Sequence, residues 1–167
     1  MKQHRALDHD TFVARFGGIY EHSPWVADTA FRQGMDGSDP LALIDVMRFI
    51  VERSGRESQI TLLRAHPDLA GKLAIAGNLT PESTSEQAGA GLDQCTPAEF
   101  AEFQHLNTAY KDRFHFPFIL AVRGHTRATI LEQFRKRIEN TPVREFRAAL
   151  DQVHRIARFR IEALLEN

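Results

Sequence analysis

The stretch TPAEFAEFQHLNTAYKDRF, residues 96–114, decides the fold class of this chain. Thr96 followed by Pro97 is a favourable helix start, because the threonine side chain accepts a bond from a free backbone N–H and the proline gives up no needed donor. Glu99 completes a capping box with Thr96. The residues that then recur at helical spacing are Phe100, Phe103, Leu106, Ala109, Tyr110 and Phe114. The pattern predicts an amphipathic helix that runs to about Arg113.

The same signals recur along the chain. Thr80-Pro81 and Thr141-Pro142 repeat the start, and Thr126 is a further candidate cap. After Thr141 one apolar stripe marks a long terminal helix: Phe146, Ala149, Leu150, Val153, Ile156, Ala157, Ile161 and Leu164. Two earlier helices are predicted from Leu41 to Val51 and from Ser58 to Arg64.

No segment has a convincing strand pattern. The run from Phe116 to Val122 contains an early proline and has no obvious pairing partner, so it is interpreted as a buried extended or helical connector. Gly34 to Pro40 is a polar loop. The sequence therefore predicts an all-α, single-domain, irregular helical bundle over residues 1–167.

Composition limits the classes of function. Of the 167 residues, 21 are Lys or Arg and 22 are Asp or Glu, so no strong field favours a nucleic-acid partner. The one cysteine, Cys95, cannot form an internal disulfide and suits a reducing compartment. No apolar run approaches the ~20 residues that span a bilayer, and the N-terminal segment has no secretory apolar core. The C-terminal residues Leu-Glu-Asn are not a peroxisomal address. We therefore expect a cytoplasmic protein.

His66 is the first candidate for chemistry. It stands immediately before Pro67, which disfavours helical torsions at His66 and predicts that the preceding helix ends there. An imidazole fixed at a helix end can transfer protons near neutral pH. The alternative is a C-terminal cap that interacts with the helix dipole.

A second candidate group follows Thr80-Pro81. On a helix, Ser83, Glu86 and Gln87 stand at i, i+3 and i+4, so a hydroxyl, a carboxylate and an amide share one face. The small residues Ala88 to Gly91 allow another backbone or a ligand to approach. The alternative is a solvated polar face.

A third candidate group is the run from Phe114 to Gly124, which is aromatic and aliphatic and ends beside the cation Arg123. Its rings can pack a planar heterocycle and Arg123 can bind a carboxylate. The alternative is that these phenylalanines are only core.

Two other chemistries are weighed. A metal-dependent amidohydrolase would use His66, Asp68 and Glu86, yet the histidines follow no His-Glu-x-x-His pattern, and we expect no metal. Cys95 precedes a helix start that would lower its pKa, but a structural role is favoured. No Gly-x-Ser-x-Gly elbow supports a serine nucleophile.

Several motifs occur together and in order: Glu21-His22-Ser23-Pro24-Trp25, His66-Pro67-Asp68-Leu69-Ala70-Gly71, Ser83-x-x-Glu86-Gln87 with Ala90-Gly91-Leu92, Asn107-x-x-Tyr110, and Phe116-Pro117-Phe118-Ile119. With these motifs the chain resembles, over nearly its full length, the 2-oxo-4-hydroxy-4-carboxy-5-ureidoimidazoline (OHCU) decarboxylases of uric acid breakdown.

The resemblance implies an all-α, commonly homodimeric enzyme that forms (S)-allantoin and carbon dioxide from its ureidoimidazoline substrate without a cofactor. It implies that His66 and Glu86 are the catalytic pair. The substrate would be held by Pro67, Ser83, Gln87, Arg123 and the backbone of Phe118, Ile119, Leu120 and Ala121. The alternative from another class is a helical scaffold protein that keeps the fold without turnover.

One position departs from the family's Phe-Gly-Phe-Pro-Phe pattern, because His115 stands where the family usually has glycine. The replacement adds bulk and a titratable group beside the expected substrate site. It leaves the expected catalytic pair unchanged.

Overall fold

The last four α-helices begin where the capping signals at Thr80, Thr96, Thr126 and Thr141 predict them. The computed structural model describes residues 5–167, apart from the side chains of Lys72 and Leu73. Its helices are α1 (His9–Phe16), α2 (Trp25–Arg32), α3 (Pro40–Arg53), α4 (Arg56–Ala65), α5 (Lys72–Ile75), α6 (Pro81–Gly89), a 3-10 turn (Leu92–Gln94), α7 (Pro97–Phe114), α8 (Arg127–Arg137) and α9 (Pro142–Glu166). No β-strand occurs within residues 5–167, so the all-α prediction is confirmed.

Helix α7 has the predicted capping box. The Glu99 N–H donates to Thr96 Oγ1 at 3.2 Å, and the Thr96 N–H donates to Glu99 Oε1 at 3.0 Å. Thr126 caps α8 and Thr80 caps α6 through the same kind of bond. These local bonds satisfy backbone donors that have no partner inside the helix, which is why the sequence alone locates the helix starts.

Helices α1 and α2 were not predicted from the sequence. Each is only eight residues long, too short to carry a clear periodic pattern. Aromatic packing supports them instead: the ring of Phe12 lies 4.9 Å from that of Phe16 and 5.4 Å from that of Phe31. Ring contacts within α1 and between α1 and α2 therefore support these helices.

The chain divides into two compact units, and the first comprises Met1–Ala65 and His154–Asn167. Within it, Arg160 donates to the buried carboxylate of Glu21 at 2.8 Å and to the Gly18 carbonyl at 2.9 Å. His154 is bonded to the Tyr20 hydroxyl at 2.8 Å and to a Glu52 oxygen at 2.9 Å. Glu21, which belongs to the motif Glu21-His22-Ser23-Pro24-Trp25, is thus paired with Arg160 within this unit.

The second unit comprises His66–Val153 and contains every candidate site residue. Its core includes an aromatic group in which the rings of Phe118 and Phe134 stack with centroids 3.9 Å apart. The run 116–122 is buried and non-helical, so the helical form of the predicted connector is excluded. The assignment of residues 1–167 to one domain stays a prediction.

No helix of the part of the chain that the structure describes has both the length and the apolar character needed to cross a membrane.

The structure gives a physical reason for a glycine at position 115. His115 has a φ of 64° and ends α7 in the left-handed conformation, with its N–H donating to the Lys111 carbonyl at 2.8 Å. Glycine adopts this conformation at no steric cost, which explains why helices so often end in it. Histidine at this position introduces local strain.

We expect His115→Gly to raise the free energy of unfolding. Relief of the left-handed strain raises the free energy of unfolding by roughly 1–2 kcal/mol. The greater conformational freedom of glycine in the unfolded chain lowers it by about 0.4–1 kcal/mol. The net gain, between zero and about 1.6 kcal/mol, is measured by urea denaturation. His115→Ala removes the imidazole but keeps the strain, so equal stabilisation by both variants would contradict this explanation.

Candidate functional site

His66 lies directly after the end of α4, as the proline at 67 predicts. Helix α4 ends at Ala65, and His66 is buried, with only 8 % of its surface exposed. An imidazole buried to this extent is held in one environment, which suits a group that must transfer a proton to one face of a substrate.

The loop that follows His66 has a strained backbone. Ala70 adopts a φ of 51°, in the left-handed region that residues with a β-carbon rarely occupy. Gly71 is required next to it, because a β-carbon there would lie 2.7 Å from that of Asp68. Such a conformation persists only where its surroundings determine it fully.

Gln87 of α6 binds this loop with both ends of its amide. Its Oε1 accepts from the Ala70 N–H at 3.0 Å, and its Nε2 donates to the Asp68 carbonyl at 3.2 Å. The assignment of Gln87 to the substrate stays a prediction. What the structure adds is a second task for this side chain, namely fixing the loop of His66 against α6.

The face of α6 that the sequence predicts is present. Ser83 and Gln87 are buried on it, and Glu86 is partly exposed one residue before Gln87. Because Gln87 joins α6 to the His66 loop, the helix that carries Glu86 and the loop that carries His66 are tied together.

Helix α7 holds the same loop from three further positions. Gln104 donates to the Ala70 carbonyl at 2.9 Å, Asn107 donates to the Leu69 carbonyl at 2.9 Å, and Lys111 donates to the Asp68 carboxylate at 2.6 Å. These three side chains stand at i, i+3 and i+7 and so share one helix face. Gln104 and Lys111 were missed from the sequence, and Asn107 entered only within a motif. The sequence signal that could have identified them is their helical spacing, which places three polar side chains on one face of α7 beside its apolar positions.

The connector buries its side chains, and two of its backbone groups are bonded by side chains from elsewhere in the unit. Phe118, Ile119, Leu120 and Ala121 all have buried side chains, and Phe118 packs on Phe134. The core interpretation therefore holds for the Phe118 ring. The Ala121 N–H donates to Gln152 Oε1 at 2.9 Å, and the Ile119 carbonyl accepts from the Arg137 guanidinium.

Arg137 belongs to a buried ionic network centred on Glu145. The carboxylate of Glu145 accepts from the Tyr110 hydroxyl at 2.5 Å, from Arg137 Nε at 2.8 Å and from Asn140 Nδ2 at 3.0 Å. Burial raises the pKa of Tyr110, so its hydroxyl stays protonated and donates. Through Arg137 this network fixes the Ile119 carbonyl in the predicted binding segment. No local pattern predicts this network, because Tyr110 is distant in the chain and the turn between α8 and α9 brings Arg137 to Glu145.

Arg123 and Cys95 lie in less enclosed positions. Arg123 is exposed in the turn that follows the connector, and its assignment to a substrate anion stays a prediction. Burial, followed by the nearby charge of Glu99, raises the pKa of the Cys95 thiol. The thiol is therefore not activated by the helix start that follows it.

The metal alternative finds little support in the arrangement of ligands. Within the described residues, no group of three or more His, Cys, Asp or Glu side chains is arranged to hold a metal ion. Asp68, one of the three residues this alternative needs, is bonded to the Lys111 ammonium.

Comparison with known proteins adds independent findings. A family model described as OHCU decarboxylase matches residues 5–162. A Haloferax volcanii protein named 2-oxo-4-hydroxy-4-carboxy-5-ureidoimidazoline decarboxylase is 42% identical over 161 residues, which cover 96% of this chain and 93% of the relative. A protein of the same name from Halalkalicoccus jeotgali is 40% identical, with 94% and 86% covered.

A solved structure is also similar. The crystal structure of an (S)-allantoin synthase aligns with a TM-score of 0.74 and 34% identity, covering 94% of this chain and 50% of that one. The fold defines an all-α protein, and its His66–Val153 unit contains the candidate site. The family match over nearly the full length is more specific: the chain belongs to the OHCU decarboxylase family.

We expect Glu145→Gln to destabilise the protein strongly. The substitution keeps the shape of the side chain but leaves the Arg137 guanidinium buried without a carboxylate, and breaking a buried pair in this way costs about 3–5 kcal/mol. The free energy of unfolding is measured by urea denaturation. The matched control is Glu102→Gln, which removes the partner of Arg135 in an exposed pair and should cost at most about 1 kcal/mol. Equal effects of the two variants would contradict the structural role of the network.

Proposed function

We propose that this chain decarboxylates 2-oxo-4-hydroxy-4-carboxy-5-ureidoimidazoline to (S)-allantoin in uric acid breakdown, stereospecifically and without a cofactor. The observation that carries the proposal is the pair of hydrogen bonds from the Gln87 amide to the loop that follows His66, because they tie this loop to the helix of Glu86. Family membership supports the substrate, and the relatives that bear this name support the reaction.

The chemistry asks little of the protein beyond positioning. Loss of carbon dioxide breaks one C–C bond, and the adjacent ring C=N of the substrate takes up the electron pair. One proton is then added to one face of the ring carbon, so the balance is one proton consumed for each carbon dioxide released. Since the substrate is its own electron sink, the enzyme's contribution is orientation, charge stabilisation and delivery of that proton.

In this proposal His66 transfers the proton. Its buried position and the fixed loop behind it favour delivery to one face only, and this is the source of the (S) configuration. Glu86 orients or polarises the imidazole, or accepts from the ureido N–H groups. His66 and Glu86 are thus the catalytic pair.

The other predicted residues bind the substrate. Ser83 is buried on the same face of α6 and is suited to bond ring or urea atoms. Pro67 shapes the site beside His66, and the backbone of Phe118 to Ala121 contributes N–H and carbonyl groups. Arg123 neutralises a carboxylate or oxyanion.

The test supplies freshly generated substrate and follows (S)-allantoin by circular dichroism. We expect His66→Asn to lower kcat by roughly 10²–10⁴-fold, the range of general acid–base catalysis, and Glu86→Gln to lower it by at least about tenfold. The matched control is Glu82→Gln, an exposed carboxylate on the same helix, which should leave the rate unchanged.

The outcomes separate the competing functions. Racemic product at the spontaneous rate with the unmodified protein would favour the scaffold alternative. Activity lost on chelation, together with a stoichiometric metal by inductively coupled plasma analysis, would favour the amidohydrolase alternative. Full activity and enantiomeric excess in both His66→Asn and Glu86→Gln would contradict the catalytic pair.

We propose in addition that the protein is a cytoplasmic homodimer with no nucleic-acid or membrane partner. The dimer rests on the resemblance to the family, and the location rests on the lone Cys95, which suits a reducing compartment. Sedimentation velocity should give twice the 19.0 kDa mass of one chain. A monomer at all micromolar concentrations would contradict the dimer.

A further inference from the structure

Four backbone polar groups of residues 68–70 are bonded by side chains. Gln87 binds the Asp68 carbonyl and the Ala70 N–H, Asn107 binds the Leu69 carbonyl, and Gln104 binds the Ala70 carbonyl. Leu69 and Ala70 are buried, so these groups need partners inside the protein. We refer to Gln87, Gln104, Asn107 and Lys111 as the loop clamp.

The loop clamp acts on a conformation that the local sequence does not favour. Ala70 has its φ at 51°, and it is bonded on both its N–H and its carbonyl. Without those two bonds an alanine relaxes to a negative φ. The clamp therefore selects the loop conformation against the intrinsic preference of the backbone.

The clamped segment is separated from His66 by one residue. That residue is Pro67, whose ring fixes φ near −65° and which also restricts the torsions of His66 before it. Few free torsions remain between the imidazole and the clamped Asp68, so a shift of residues 68–70 is passed on to His66.

Asn107 is the buried centre of the α7 contribution. It is 3 % exposed, and its Oδ1 has no hydrogen-bond partner among the described atoms. Leaving a buried acceptor unsatisfied is unfavourable. The unsatisfied Oδ1 means that stability alone does not explain an asparagine at this position. The group that Asn107 contributes is its Nδ2, which donates to the Leu69 carbonyl.

We propose that Gln104, Asn107 and Lys111 are positioning residues for His66, acting through residues 68–70. They orient the imidazole without touching the substrate. The catalytic consequence rests on the proposed function, but the effect on the geometry of His66 does not.

The first arm of the test is kinetic and uses Asn107→Leu and Gln104→Met. Because misplacement of a reacting group by about 1 Å costs up to ~10²-fold in rate, we expect kcat to fall about 10- to 100-fold with KM changed less than about twofold. The enantiomeric excess of allantoin, extrapolated to high enzyme concentration where spontaneous decay contributes nothing, should also fall. Gln104 is only partly buried, so Gln104→Met should fold and still test the proposal if Asn107→Leu does not fold.

Two controls separate positioning from stability. Leu131→Ala removes a buried apolar side chain of α8 and lowers the melting temperature, but each folded molecule should keep its kcat and enantiomeric excess. Lys111→Arg keeps the ion pair with Asp68 and should behave like the unmodified protein, whereas Lys111→Met should lower kcat.

The second arm is independent of turnover. In protein labelled at histidine, the His66 imidazole resonance is assigned by its loss in His66→Asn. We expect this resonance to shift or broaden in Asn107→Leu and Gln104→Met while that of His154 stays in place. An unchanged His66 resonance in the folded variants would overturn the proposal, even if the unmodified protein were inactive. A changed resonance in an inactive protein would keep the positioning role and refute only the proposed function.

Discussion

Buried backbone groups that lie outside a helix must find partners, and in the His66–Val153 unit this constraint falls on residues 68–70. The loop there has neither a neighbouring strand nor a continuing helix to bond it. Three side-chain amides take that role, from Gln87 on one helix and from Gln104 and Asn107 on another. The position of His66, the placing of α6 beside the loop, and the left-handed Ala70 all follow from those bonds.

In the connector, residues 116–122, buried backbone groups also need side-chain partners, and here one of the partners is a charged guanidinium. The connector backbone is buried and non-helical, so the Ile119 carbonyl and the Ala121 N–H need side-chain partners. Arg137 meets one of these needs, and the cost of burying its charge is offset by Glu145, which is in turn bonded to Tyr110 and Asn140. The connector, which the family resemblance assigns to the substrate, and the loop that follows Pro67 are thus both held by side-chain bonds. Such fixed segments suit a reaction that depends on positioning.

The helical class and the main helix starts were predictable because the signals are local. A threonine cap followed by proline, and the reciprocal bonds between Thr96 and Glu99, involve residues three or four apart. The short helices α1 and α2 escaped prediction because their stability comes from ring contacts such as that between Phe12 and Phe31. For the site, the shared face of Ser83 and Gln87 follows from helical spacing alone, and the end of α4 before His66 follows from Pro67.

The sequence by itself determined the helix register, the residue types available for acid–base chemistry and, through its motifs, the OHCU decarboxylase family. Only the tertiary structure decided that Gln87 binds the His66 loop, that Gln104 and Lys111 belong with Asn107 in holding it, and that Glu145 supports the connector. The physical reason is separation along the chain. Capping and periodicity act within one or two helical turns, whereas the bonds from Gln87, Asn107 and Arg137 form only after packing brings distant segments within 3 Å or so of one another.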